Sequence, residues 1–219
     1  MKAIMSQMLW DISPPISAAS PVFPGDTPYS QRWSARLSAD CPVNVSAITL
    51  SPHVGAHADA PLHYSAEGLP VGKLPLEPFL GPCRVIHMPG TQPLICIADI
   101  APHMHQAPPR ILVRTCIKAP VDAWIDDFSA FAPETIHYLA DLGVLLIGID
   151  TPSIDPASSK TLDSHQAVRQ HDMRVLENLV LDNVPAGDYE LIALPLALIH
   201  ADASPVRAVL RSLPTPVSS

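Results

Sequence analysis

The chain has 219 residues, 26 of them proline and 9 glycine, with 16% charged residues and a formal net charge of −8. That length supports one domain with a real buried core and no need of disulfide staples. Proline scattered from Pro14 to Pro216 speaks against a collagen-like or low-complexity chain, and the absence of any basic cluster speaks against a nucleic-acid or anionic-membrane partner.

Along the chain, residues 1–10 hold one lysine and no apolar run long enough for a secretion signal, so a cytoplasmic protein is expected. Strand-like runs follow at 32–37, 43–50, 83–88, 111–117, 144–149, 190–194 and 206–210. Two helices interrupt them. The first, over 133–140, has an apolar face at i, i+3 and i+4, Pro133 in its first turn and Gly143 as its stop. The second opens on Asp163-Ser164, read as a capping pair, and runs through Ala167, Val168 and His171. The longest apolar stretch, 191–199, contains Pro195 and is too short to span a membrane. Cys41, Cys83, Cys96 and Cys116 form no C-x-x-C pair, and they read as small buried hydrophobes in a reducing compartment. The fold class expected is α/β, a single strand-rich domain over 1–219. So few charges suggest that part of the surface is covered by a second copy, a homodimer being the simplest case.

The chemistry concentrates in Pro52-His53-Val-Gly55-Ala-His57-Ala-Asp59-Ala-Pro61-Leu-His63-Tyr64. A helix would carry Asp59 away from His53 and His57, and Pro52 and Pro61 argue against one. In an extended chain all four polar residues share parity and face. Full extension would hold His53 and His57 roughly 13 Å apart, too far to share an ion, so the chain must bend at Gly55. Two imidazoles and a carboxylate suit a zinc-type ion with a position left for water, and His63 can stand beside it as a proton carrier. His165 and Glu177 form a weaker pair. One continuous helix would separate them by roughly 18 Å. They could meet if the helix ends near His171 and residues 174–178 return as a strand; spacing alone favours two surface residues.

The sequence resembles the bacterial kynurenine formamidases, metal-dependent members of the cyclase-like hydrolase family. The resemblance covers most of the chain. It rests on Trp10-Asp-Ile-Ser-Pro-Pro, Pro21-Val-Phe-Pro-Gly-Asp26-Thr-Pro, the 53–64 block, Gly148-Ile-Asp-Thr-Pro-Ser153, His165 with Glu177, and Ser204-Pro-Val-Arg207-Ala. It implies a cyclase-like (swivelling β/β/α) fold with a mixed central sheet and few helices. It also implies two divalent metal ions, zinc with manganese as the alternative. His53, His57 and Asp59 would hold one ion, and Asp59, His165 and Glu177 the other. His63 would be the general acid/base, and Phe23 would line the substrate pocket, at a position where many relatives carry tryptophan. Where Ala56 stands the wider family often has threonine, which is not a ligand.

The activity implied is hydrolysis of N-formyl-L-kynurenine to L-kynurenine and formate. Hydrolysis of another small cyclic or aryl amide, and non-catalytic metal or ligand binding on the same scaffold, are the alternatives. Other polar residues are set aside. His103 and His105 lie in a proline-flanked loop, and His87, His137 and His171 stand alone on their faces. Ser153 and Ser204 lack a G-x-S-x-G turn. Arg207 is expected to pair with a buried acid. Pro52 and Pro61 bracket the ligand block, and Pro21, Pro24 and Pro28 frame Phe23, as rigid framing for a preorganised site.

Overall fold

A computed structural model of the chain describes residues 7–90 and 93–213; residues 1–6, part of the segment where no secretion signal is expected, and Pro216 lie outside them. Strands β1 (Leu9–Asp11), β2 (Ser30–Ala35), β3 (Val45–Thr49) and β4 (His57–Asp59) precede a single helical turn, α1 (Pro61–Tyr64). Next come β5 (Leu80–His87), β6 (Leu94–Ile95), α2 (Ile97–Ile100), β7 (Arg110–Arg114), β8 (Ala130–Phe131), α3 (Pro133–Asp141) and β9 (Leu146–Ile149). Helix α4 (Asp163–Gln170) leads into β10 (Arg174–Glu177), followed by β11 (Gly187–Ile192), β12 (Ala203–Pro205) and β13 (Val209–Ser212).

Nine strands form one mixed sheet in the order β1-β13-β11-β5-β7-β9-β10-β4-β12. The middle strands β5, β7, β9 and β10 are parallel, and the pairs towards both ends are antiparallel. Parallel strands require cover on both faces, and β9 and β10 are buried throughout. Side-chain alternation then sorts residues between two cores. Val85, Leu112, Leu146 and Leu176 join Phe79 and Leu191 on one side. Ile86, Val113, Ile147 and Val175 pack on the other, against Ile136 of α3 and Val168 of α4.

The seven expected strand runs all meet strands, with shifted ends. The run at 206–210 fits least, because only its last two residues belong to β13. Val206 instead donates its amide to Ala56, and the Ala208 carbonyl accepts from Ile12. Helix α3 begins on Pro133 as expected. The helix at 163–170 also forms, but Asp163 and Ser164 do not cap it. Its N-cap is Leu162, in the left-handed region at φ +52°, with no side-chain bond. The first-turn amides of Ser164 and His165 donate instead to the carboxylate of Asp155, at 2.9 and 3.0 Å.

The 53–63 block is not one extended strand. Only His57–Asp59 is strand; His53 lies in a turn and His63 in α1. Pro61 starts that helical turn, since its first position needs no N–H. Gly55 makes the expected bend, at φ +71°. Two smaller expectations also change. Cys83 is buried, whereas Cys96 is exposed at the start of α2 and Cys41 and Cys116 are half-buried. Arg207 pairs with Asp11, but at the surface, tying the 207 segment to β1.

Replacing Gly55 by alanine places a β-carbon at that left-handed position, 2.9 Å from Ile16 Cγ1. The flexible Ile16 end can yield, but the backbone strain remains. Gly55→Ala is expected to lose about 1–2 kcal/mol of unfolding free energy by denaturant titration.

Candidate active site

Strand register builds the site. The antiparallel β4–β10 pair sets His57 opposite Glu177 and Asp59 opposite Val175. Paired residues share a face and alternate residues return to it, so His57, Asp59 and Glu177 project together. The β9–α4–β10 crossover then lowers the first turn of α4 onto that face. His165 Nε2 lies 3.2 Å from Asp59 Oδ2 and 3.5 Å from Glu177 Oε1. The turn at Gly55 returns His53, whose Nδ1 lies 3.1 Å from Asp59 Oδ1. All the residues expected as ligands therefore meet. His53, His57 and Asp59 offer donor atoms within 4.8 Å of one another, as do Asp59, His165 and Glu177. The second set exists because the chain leaves the helix after Gln170 and returns as β10, the condition that spacing alone left open.

Hydrogen bonds behind the cluster fix which atoms face inward. His57 Nδ1 lies 2.9 Å from the Gly55 carbonyl, which can only accept, so Nδ1 carries the proton. A neutral His57 then presents a bare Nε2, 3.4 Å from Asp59 Oδ1 and 3.3 Å from Glu177 Oε2. Both neighbours are acceptors too. His57 Nε2 is accordingly buried without a hydrogen-bond partner, and Asp59 Oδ1 meets the His53 ring at 3.1 Å. His165 repeats the pattern: Nδ1 donates to Asp155 Oδ2 at 2.7 Å, leaving Nε2 for the centre. Glu177 is held by the Ile154 amide, which donates to Oε1 at 2.8 Å. Buried acceptors facing one another are repulsive unless a cation lies among them. The donor set, with its outer ring nitrogens held by Gly55, Asp155 and Asp202 and its inner atoms turned to one centre, fits a divalent metal.

The electrostatics agree. Burial opposes the charged form of His165, but hydrogen bonds to Asp155, Asp59 and Glu177 win and hold its pKa well above the usual imidazole range. Burial likewise opposes charge on Asp59, and bonds to His165 and His53 hold its carboxyl well below the usual range. His53 is pushed up to about 9, against burial, by Asp59 and by Asp202, which takes Nε2 at 3.0 Å.

His63 stands beside the cluster. It is exposed, with its ring centre 4.4 Å from that of His53 and 5.9 Å from that of His165. Its Nδ1 is 3.4 Å from Asp202 Oδ2, which leaves Nε2 free. A cavity of about 330 Å³ opens over His53, His57, His63, His165 and Glu177. Phe23 lines it, 5.3 Å centre to centre from Trp124 in an edge-to-face pair.

Sequence reasoning missed Asp155, Asp202 and Trp124. Asp155 and Asp202 act through contacts across 10 and 149 residues, to His165 and His53, and no local spacing marks them. Trp124 carried a faint signal, an indole in an otherwise acidic loop. His103 and His105 are exposed, as expected, but only His105 lies in a turn of the loop; His103 ends a short 3-10 helix, Ala101–His103.

Residues 10–156 match the Cyclase family model. The chain is 70% identical over 205 residues to a kynurenine formamidase of Bordetella pertussis (strain Tohama I), covering 94% of this chain and 98% of that one. It is 65% identical over 209 residues to a kynurenine formamidase of Delftia acidovorans, covering 95% and 100%. Among solved structures it superposes with a TM-score of 0.81, at 28% identity, on a "predicted metal-dependent hydrolase" from Bacillus stearothermophilus, over 95% of this chain and 100% of that chain.

The raised pKa of His53 sets a pH dependence. Its folded value of about 9 exceeds the ordinary 6.5, so the metal-free protein holds that proton through neutral pH and loses it as pH rises through about 9. A metal at Nδ1 must expel it. Titrating zinc into metal-free protein at pH 7 should release protons, and affinity should fall as pH drops. Calorimetry in two buffers of different ionisation enthalpy measures this, and a buffer-independent heat would contradict it.

Proposed function

The chain belongs to the cyclase family, and from that membership and the buried donor set we propose that it hydrolyses N-formyl-L-kynurenine to L-kynurenine and formate, an arylformamidase activity. The observation that carries the metal part of this reading is Asp59. One of its oxygens faces His53 and His57 and the other faces His165. Two ions would be held there, one by His53, His57 and Asp59 and the other by Asp59, His165 and Glu177. Zinc suits these ligands best, with manganese as the alternative. When bound, such ions polarise a carbonyl oxygen and lower the pKa of water towards neutrality.

The chain's own groups do the rest. His57, Asp59, His165 and Glu177 are buried at the cavity floor, and Asp155 and the Gly55 carbonyl hold the rings of His165 and His57 in one orientation. His63 is the proton carrier. Its Nδ1 is turned to Asp202, so Nε2 takes a proton from the attacking water and returns it to the aniline nitrogen. That nitrogen leaves poorly as an anion, which is why a proton must reach it. Phe23 and Trp124 offer an aromatic wall for the substrate ring.

We read residues 1–219 as a single hydrolase domain, supported by one sheet whose strands run from Leu9 to Ser212. Four free thiols support a reducing, cytoplasmic setting, and no helix is long and apolar enough to cross a membrane among the described residues. A homodimer is supported by the β2–β3 hairpin. Among the described residues those strands pair only with each other, and Trp33, Val45 and Ile48 are exposed on them. An isolated hairpin is marginal in water, so a second copy is the natural cover.

Chelator-stripped protein should lose N-formylkynurenine hydrolysis and regain it with zinc or manganese. In the same assay His63→Ala should lose turnover by roughly 10²–10⁴-fold with metal content unchanged; activity that survives thorough chelation would sink the mechanism. Light scattering should give twice the chain mass, and a monomer at micromolar concentration would remove the dimer.

A further inference from the structure

Two charges in the cavity have no role in the chemistry above. Among its lining residues Lys160 is the one lysine or arginine, and Asp26 is the one carboxylate besides Glu177. Neither forms an ion pair among the described residues. Asp26 is half-buried and accepts from the Thr27 amide through Oδ1, which leaves Oδ2 available. Lys160 is exposed. Both therefore sit nearer solvent than the buried donors. The cavity they both line also carries Phe23, Trp124 and Phe128.

A substrate with its formamide at the donor cluster lays its ring on those aromatics. The chain ortho to the formamide nitrogen then ends in an α-ammonium and an α-carboxylate pointing outward. Charged groups leaving water need partners. The carboxylate needs one especially, because the protein's net charge of −8 repels it. We propose that Lys160 binds the α-carboxylate and Asp26 the α-ammonium, and that this pair selects the amino-acid substrate over simple aryl formamides. The proposal rests on the N-formylkynurenine reading above.

The test compares kcat/KM for N-formylkynurenine with that for 2-formamidoacetophenone, which keeps the aryl formamide and ketone but lacks the amino-acid group. In the metal-loaded enzyme, Lys160→Ala and Asp26→Asn should each lower the ratio by about tenfold or more, mainly through KM for N-formylkynurenine. Lys160→Arg should keep most of the ratio. An exposed lysine can be replaced without threatening the fold, and thermal melting of each variant checks that. If the variants keep the wild-type ratio, the assignment of Lys160 and Asp26 fails alone. If the wild type itself prefers 2-formamidoacetophenone, the N-formylkynurenine reading fails and takes this proposal with it.

Discussion

Asp59 offers one carboxylate oxygen to His53 and His57 and the other to His165, in a position that solvent barely reaches. Three imidazoles and two carboxylates in that volume cannot satisfy one another, since their inner atoms are mostly acceptors. Only positive charge at the centre relieves them. In the metal-free protein protons supply it, on His53 and His165. A divalent ion supplies it better, because it can meet several bare nitrogens and oxygens at once. The rest of the structure serves to hold this frustrated set in place.

Rigidity comes from the sheet. Glu177 and His57 face each other because β10 and β4 are antiparallel neighbours, and β10 is buried on both faces between β9 and β4. Shifting that pairing by one residue would turn His57, Asp59 and Glu177 into the opposite core. Leu176 and Ala58, which alternate with them, are packed in that core and resist such a shift. Asp155 adds a second restraint with one side chain. It takes the free amides at the start of α4 and fixes the tautomer of His165, so helix placement and ligand orientation cannot vary independently.

Function follows from the contrast between this buried floor and the walls above it. The floor supplies charge and fixed geometry. The walls supply aromatic area, with Phe23 against Trp124. His63 occupies the boundary, exposed enough to exchange protons and close enough to reach the cluster. The prolines around Phe23 and before His53 stiffen the segments that join floor to wall.

The donor types, the bend at Gly55 and the strand-rich α/β class were legible in the chain, because each depends on residue identity and near neighbours. Membership of a formamidase-like family was legible for the same reason, in contiguous motifs. Local reasoning failed where the chain's path mattered. Parity suggested one strand for residues 53–63, whereas the chain turns before His57 and coils after Asp59, so that only His57 and Asp59 share a strand while His53 comes from a turn and His63 from α1. The cap of α4 was sought in Asp163 and Ser164 and lies in Asp155, which a loop carries to the helix start. Asp202 and Trp124 join the site from distant segments. These were set by the folded chain, because hydrogen-bond partners, burial and the charge felt at each imidazole depend on which distant segments the sheet brings together.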